Sequence, residues 1–192
     1  MRRRKLRSQR EVVERCSSLR RDVEEAAQRE DPGDRAAVDA LWRAEALGTL
    51  LWALSLTALP PYDRPFELEA LLAVDPAGGS LREPDELELE LDAARLWHWR
   101  ARTAGLEEAD TSELPDRYAS LEQLVAATAM RGYDASLLPQ PLRGDFPAFG
   151  KVYRHLSAEQ RAVAHSIALE RHRALAWLCG ASGALDEEPL AT

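Results

Sequence analysis

The stretch LGTLLWALSLTAL, residues 47–59, is apolar on nearly every side of the helix that its composition predicts. A helix without a polar face packs on several sides at once, so it lies at the centre of a fold. The predicted helix spans residues 35–58, and the double proline that follows ends it, because a proline keeps the residue before it out of helical geometry. We therefore expect a helical fold organised around this segment.

Five further segments carry helical signals. Along residues 8–29 a spacing of three and four aligns one apolar face, made of Val12, Cys16, Leu19, Val23 and Ala26. The alternating Glu and Leu of residues 86–91 resemble a half-buried strand, but both are good helix formers and no β-branched residue interrupts them, so we predict a helix. The six predicted helices span residues 8–29, 35–58, 65–74, 84–104, 121–130 and 157–179.

Capping residues support several of these boundaries. Asp34 precedes the second helix, and Ser120 and Ser157 precede the last two, each serine with a glutamine three residues on. Gly132 and Gly180 are placed to end those two helices.

A long segment rich in proline and glycine, residues 133–153, precedes the last predicted helix and must be irregular or extended. Its helix-breaking residues are Pro139, Pro141, Gly144, Pro147 and Gly150. The aromatic residues that we expect to hold it against the core are Phe146, Phe149 and Tyr153. A loop this long inside a domain is typically functional or well packed.

The composition is that of one ordinary globular domain. The chain has 192 residues, 45% hydrophobic and 30% charged, with a formal net charge of −8. A chain of this length buries enough surface to fold without a disulfide or a metal, and its acidic charge favours solubility over binding to a polyphosphate. We expect a single all-α bundle over residues 1–192, with a basic tail at 1–7 and a flexible tail at 181–192.

Cysteine usage and hydropathy indicate the cellular compartment in which we expect the protein. Cys16 and Cys179 are the only cysteines, each among apolar residues of a predicted helix, which favours two small buried hydrophobes in a reducing compartment. The longest apolar run, residues 44–59, is too short to cross a membrane. Residues 8–14 are polar, so the basic start does not continue into a signal peptide. We expect a cytoplasmic protein with no membrane association.

Familiar motifs for catalysis and ligand binding are absent from the sequence. It contains no Gly-rich phosphate loop, no Cys-x-x-Cys pair, no HExxH and no GxSxG. Among its histidines, His165 and His172 lie two helical turns apart, about 10.5 Å, too far to share a metal ion without large side-chain reach. We therefore expect neither a cofactor nor a metal.

Charged residues fall on otherwise apolar stripes of the second and last predicted helices. They are Arg43, Glu45, Glu170 and Arg171. Charges in such places are costly unless each meets an opposite charge, so one interpretation is an ion network that clamps the two helices. The alternative is an active-site cleft in which Arg43 or Arg171 holds an anionic small molecule. Its catalytic candidates are Glu45, Glu170 and His172.

Trp97 and Trp99 form a second candidate, a binding site. On a helix they point about 200° apart, so one belongs to the core and the other is partly exposed. An exposed tryptophan beside His98 and Arg100 is typical of binding hot spots. The alternative is an aromatic contact at a helix–helix junction.

Several strings together resemble a bacterial family, the domain of unknown function 4272. They are WRAEALGTLLWAL, LPPYDRPF, LRxPxEL followed by LWHWRAR, DFPAFGKVYRHLS and SIALERHRALAWLCG, and they span residues 41–180. The resemblance implies a cytoplasmic bacterial helical domain and brings no known activity. It marks as motif positions Arg43, Glu45, Glu170, Arg171 and His172. Ala176 stands where the family pattern has asparagine.

These observations favour a non-enzymatic interaction or regulatory module with a protein partner. An enzyme that acts on an anionic small molecule through the Glu/Arg/His cluster is the alternative. Nucleic-acid contact through the basic start, where Arg2, Arg3 and Arg4 lie beside Lys5, is disfavoured because no aromatic residue interleaves the charges.

Overall fold

The fold is built from six α-helices in a computed structural model that describes residues 6–28, 35–106 and 118–180. In chain order they are α1 Gln9–Ala27, α2 Arg35–Ala53, α3 Leu68–Leu72, α4 Pro84–Leu106, α5 Leu121–Asp134 and α6 Ala158–Leu178. The predicted all-α class is therefore confirmed. Within these ranges, no helix is long and apolar enough to cross a bilayer. Apart from residues 6 and 7, the predicted tails lie outside the described residues, as does the predicted cap Asp34.

Helices α2 and α6 form the middle of the bundle. The two pack against each other, α1 packs against α2, α4 packs against α6, and α5 packs against α4. The fully buried residues at the centre include Leu47, Leu50 and Leu51 of α2 and Ile167 and Leu175 of α6. Burial of each such side chain contributes about 1.5–3 kcal/mol. The apolar stretch that predicts a central helix thus lies in one.

Helix α1 lies on the bundle through the predicted stripe, since Val12, Cys16, Leu19, Val23 and Ala26 are all buried. Cys16 and Cys179 are both buried, as expected of small hydrophobes. Burial raises the pKa of the Cys16 thiol to about 12, so this cysteine is held in its unreactive form.

Serine caps begin three of the helices. Ser8 and Ser157 form complete capping boxes with Glu11 and Gln160, which confirms the predicted start of α6. Ser120 accepts a hydrogen bond from the backbone of the glutamine three residues on, but that glutamine side chain accepts from the Ala119 backbone instead of closing the box.

Helix α2 ends at Ala53, five residues before the predicted end at residue 58. Ser55 turns the chain with a positive φ of 61°. The last carbonyls of α2 then find partners in the loop before α4, because Arg82 donates from its backbone to Ala53 and from its side chain to Trp52. The carbonyls of Leu51 and Trp52 also accept from the backbone N–H groups of Leu56 and Ser55, so a local turn closes the helix.

Two other predicted boundaries are wrong. Helix α3 covers only Leu68–Leu72 instead of residues 65–74. Helix α5 continues to Asp134, past Gly132, which does not end it. A Cβ at Gly132 would clash with the side chain of Leu138 and lie 3.1 Å from that of Leu96. Glycine at this position of α5 therefore allows those two side chains to pack closely against the helix.

Between α5 and α6 the chain makes a small antiparallel hairpin, β1 Pro147–Ala148 and β2 Lys151–Val152. Its turn has positive φ angles at Phe149 (53°) and Gly150 (67°), the geometry of a two-residue hairpin turn. Phe146 and Tyr153 on either side are 1% exposed and hold this part of the chain against α4.

Candidate functional site

A buried ion pair joins the two central helices. Arg171 of α6 donates from Nε to Oε2 of Glu45 on α2 at 2.9 Å. The side chains are 0% and 3% exposed. Burial raises the pKa of Glu45, and the facing Arg171 guanidinium opposes that shift. Two of the four predicted cluster residues therefore meet as a pair.

The same pair holds the loop that follows α2. Arg171 donates to the backbone carbonyls of Pro60 at 2.6 Å and Arg64 at 3.0 Å. The other oxygen of Glu45 accepts from the backbone N–H of Phe66 at 2.8 Å. Because the buried charges satisfy backbone groups of residues 60–66 as well as each other, they fix this loop against the helices.

Aromatic rings extend the arrangement from α6 to α4. Tyr62 stacks on Trp97 with centroids 5.2 Å apart and planes 8° from parallel. The Arg171 guanidinium lies over the Tyr62 ring, 4.9 Å from its centroid. Trp97 in turn meets the ring of Phe146 edge-on at 5.2 Å. The Tyr62 hydroxyl donates to Oε1 of Glu90 at 2.8 Å. A continuous stack thus links Arg171 to the chain that precedes the hairpin.

A groove of about 530 Å³ opens beside this stack, and we call it the Trp97 groove. Its floor is one face of α4, formed by Glu90, Ala93 and Trp97 at spacings of three and four. Its walls and ends are Trp52 of α2, the residues Leu59, Pro60, Pro61, Tyr62 and Asp63 after α2, and Leu137, Pro139, Pro147 and Gly150 before α6. The volume lies within the range of ligand sites in proteins.

One hydrogen bond ties the two walls together. The backbone N–H of Phe149 in the hairpin turn donates to Oδ2 of Asp63 at 2.5 Å. Asp63 lies in the loop that Arg171 holds, so the buried ion pair positions one wall directly and the other through Asp63.

Acidic side chains line the groove. They are Asp63 and Glu90, and none of the described residues that line it is Lys, Arg or His. Oδ1 of Asp63 and Oε2 of Glu90 make no hydrogen bond within the part of the chain that the structure describes. Burial raises the pKa of Glu90, while the Tyr62 hydroxyl and Arg171 oppose the shift.

The other two cluster residues lie in a second cleft, between α2 and α6. Arg43 pairs with Asp22 of α1 at 3.6 Å instead of with Glu170, and Glu170 pairs with Arg173 at 3.0 Å. The cleft has a volume of about 440 Å³ and is lined by Asp39, Trp42, Arg43, Ser166, Leu169, Glu170 and Arg173. The single network predicted from the sequence is therefore divided into two separate sets.

His172 faces α4, where its Nδ1 lies 3.1 Å from Nδ1 of His98. The His165 ring lies 5.9 Å from that of His98. Burial lowers the pKa of both His98 and His172 to about 4, so both are neutral at pH 7 and one ring donates to the other. In the described ranges, no group of three or more His, Cys, Asp or Glu residues is arranged to hold a metal ion. The spacing of His165 and His172 along α6 could not reveal that His172 contacts His98 on α4.

Trp97 is in the core at 5% exposure, and Trp99 is half-buried against Phe146. Their neighbours His98 and Arg100 are buried as well, at 3% and 0% exposure. The expected division between a core and a partly exposed tryptophan is therefore observed, with His98 and Arg100 turned inward, while a binding role for Trp99 stays a prediction. Trp97 contributes to the floor of the groove.

A second buried ion pair escaped the sequence interpretation. Arg100 binds Asp145 with two hydrogen bonds, at 2.7 and 2.9 Å, and both side chains are fully buried. Asp145 also accepts from the backbone N–H groups of Phe146 and Arg154. This pair fixes the chain before the hairpin to α4, in the same way that Arg171 fixes the loop after α2.

Comparison of the chain with protein-family models, with curated proteins and with solved structures found no match. The resemblance to the domain of unknown function 4272 therefore stays a prediction.

Proposed function

We propose that this protein is a non-enzymatic interaction module that binds a protein partner in the Trp97 groove. The observation that carries the proposal is a preformed groove whose walls are held by buried ion pairs rather than left to flexible loops. A site ordered before binding loses less conformational entropy when its partner arrives. Aromatic side chains at the floor are also common in binding hot spots.

The burial of the Glu45–Arg171 pair supports a positioning role over a catalytic one. Neither side chain is more than 3% exposed, so neither reaches a substrate. Every hydrogen bond seen from the Arg171 guanidinium goes to Glu45 or to a backbone carbonyl of residues 60–64. Such a pair organises a site without touching its ligand.

An enzyme that acts on an anionic small molecule is the second candidate, and the cleft between α2 and α6 favours it. Arg43 and Arg173 supply cations there, and Glu170 supplies a carboxylate. Against it, Glu170 is paired with Arg173, and His172 contacts His98 of α4 instead of lining the cleft. A phosphate or carboxylate ligand that protects Arg43 from chemical modification would support this candidate over the first.

Nucleic-acid binding has weaker support. Of the basic start, the structure describes Arg7, whose guanidinium lies 5.4 Å from the Trp177 ring and 3.5 Å from Glu11. A cation engaged with its own chain is a poor phosphate contact.

The proposal is tested by capture of partners from a lysate of the source organism with two immobilised variants. Ala93→Leu fills the floor of the groove, and Ala162→Leu makes the same change at an exposed position of α6. We expect a protein, identified by mass spectrometry, that the wild type and Ala162→Leu retain and Ala93→Leu loses. Identical sets on all three proteins would contradict the proposal, provided that thermal unfolding shows Ala93→Leu to be folded.

A further inference from the structure

Charge in the Trp97 groove points to the chemistry of its occupant. We infer that the partner presents an arginine side chain, whose guanidinium enters the groove between the carboxylates of Glu90 and Asp63. This inference rests on the proposed function and names the partner class for the same site.

The first argument is charge complementarity. The two carboxylates line the groove with no Lys, Arg or His among the lining residues, and each keeps one oxygen without a hydrogen bond in the described chain. An apolar site that contains uncompensated negative charge favours a cation over a neutral or acidic group.

The surrounding cations do not neutralise these acids. Arg171 acts on Glu90 from behind the Tyr62 ring, but it is already paired with Glu45. Beyond it, three arginines on or just before α4 have acidic partners of their own. These pairs are Arg82 with Glu86, Arg95 with Asp92 and Arg100 with Asp145.

The shape of the groove fits a long cationic side chain. The apolar surface of Ala93, Pro139 and Pro147 is suited to the methylene stem, while the acids are suited to the charged head. Arginine matches better than lysine because its planar guanidinium presents several donors in a fixed fork that fits carboxylate oxygens, whereas the ammonium of lysine is a compact point charge. The net charge of −8 also draws a basic partner toward the protein before contact.

Selection from a random short-peptide display library on the full chain tests the inference. We expect arginine to be enriched in peptides selected on the wild type and on Glu88→Gln, and not on Glu90→Gln. Glu88 is a matched control because it lies on the same helix and does not line the groove. The peptide with the strongest enrichment is then synthesised with arginine and with citrulline, its neutral isostere.

Fluorescence anisotropy gives the decisive comparison. On the wild type we expect citrulline to raise Kd by about tenfold or more, because it removes a charge-assisted contact. On Glu90→Gln the two peptides should bind nearly alike. Peptides that bind the wild type but not Ala93→Leu, and that show no preference for arginine, would overturn the inference and still support the proposed function. If every selected peptide also binds Ala93→Leu, both the inference and the proposed function are overturned.

Discussion

Arg171 and Glu45 lie 126 positions apart in the sequence and form a hydrogen-bonded ion pair of 2.9 Å at the centre of the bundle. The pair connects two helices and also satisfies backbone groups of the loop after α2. Its removal should therefore affect both stability and the shape of the groove.

Replacing Arg171 with Met should lower the free energy of unfolding by about 3–5 kcal/mol, because Glu45 is left buried without its cation. Chemical denaturation measures this loss. The matched control is Arg173→Met, which removes a more exposed pair with Glu170 and should cost less than about 1 kcal/mol. Equal losses in the two variants would show that the Arg171 pair has no special structural role.

A double-mutant cycle should distinguish the two sets of charges. We expect strong coupling between Glu45 and Arg171 and a coupling near zero between Arg43 and Glu170, since Arg43 pairs with Asp22. The measurement is the free energy of unfolding of each single and double variant. A coupling above about 1 kcal/mol between Arg43 and Glu170 would restore the single network.

The burial of His98 and His172 should make stability fall in acid. Their pKa values drop from 6.5 in the unfolded chain to about 4 in the folded one, so between these values the unfolded chain binds more protons. Stability is thus complete above about pH 6.5 and is lost as pH falls toward 4, by up to about 3 kcal/mol for one shift of this size. Denaturation at a series of pH values should show a flatter profile for His172→Gln than for the exposed control His155→Gln.

Asp145→Asn should destabilise the protein by about 3–5 kcal/mol, because it leaves the guanidinium of Arg100 buried without its anion. Hydrogen exchange should show the loss first around the hairpin, since Asp145 also binds the backbone of Phe146 and Arg154. The exposed Asp134→Asn is the control, and an equally small effect in both variants would contradict the prediction.

Tyr62→Phe should raise the pKa of Glu90 further, because the hydroxyl that stabilises its carboxylate is gone while the stacked ring remains. Carboxyl titration by NMR measures this directly, and the exposed Tyr133→Phe is the control. A Glu90 pKa that stays the same or falls in Tyr62→Phe would refute the assigned hydrogen bond. If Glu90 binds a cationic partner, affinity should decline as pH falls through this pKa.

Much of the helical framework follows from local sequence patterns. Apolar spacing predicts α1, and the serine boxes and Pro84 predict where helices begin. The early end of α2 could not be predicted, because Ser55 turns the chain with a positive φ that serine does not favour, and Arg82, beyond α3, donates to the last carbonyls.

The site follows from the sequence only in part. Apolar stripes identify Glu45 and Arg171 as charges that need partners, yet the choice of partner depends on how the helices cross. Asp145 gives no such signal, since it lies in a loop of polar appearance between Gly144 and Phe146. The local sequence also does not predict the positive φ angles of the non-glycine residues Arg143 and Phe149.

The bond between Asp63 and Phe149 spans 86 positions, and the arginine that holds the Asp63 wall comes later still. During synthesis, the groove therefore cannot be complete until α6 has left the ribosome and docked. Truncated chains that stop before Arg171 should be unable to engage a partner, so binding itself reports that the chain has been made and folded through α6.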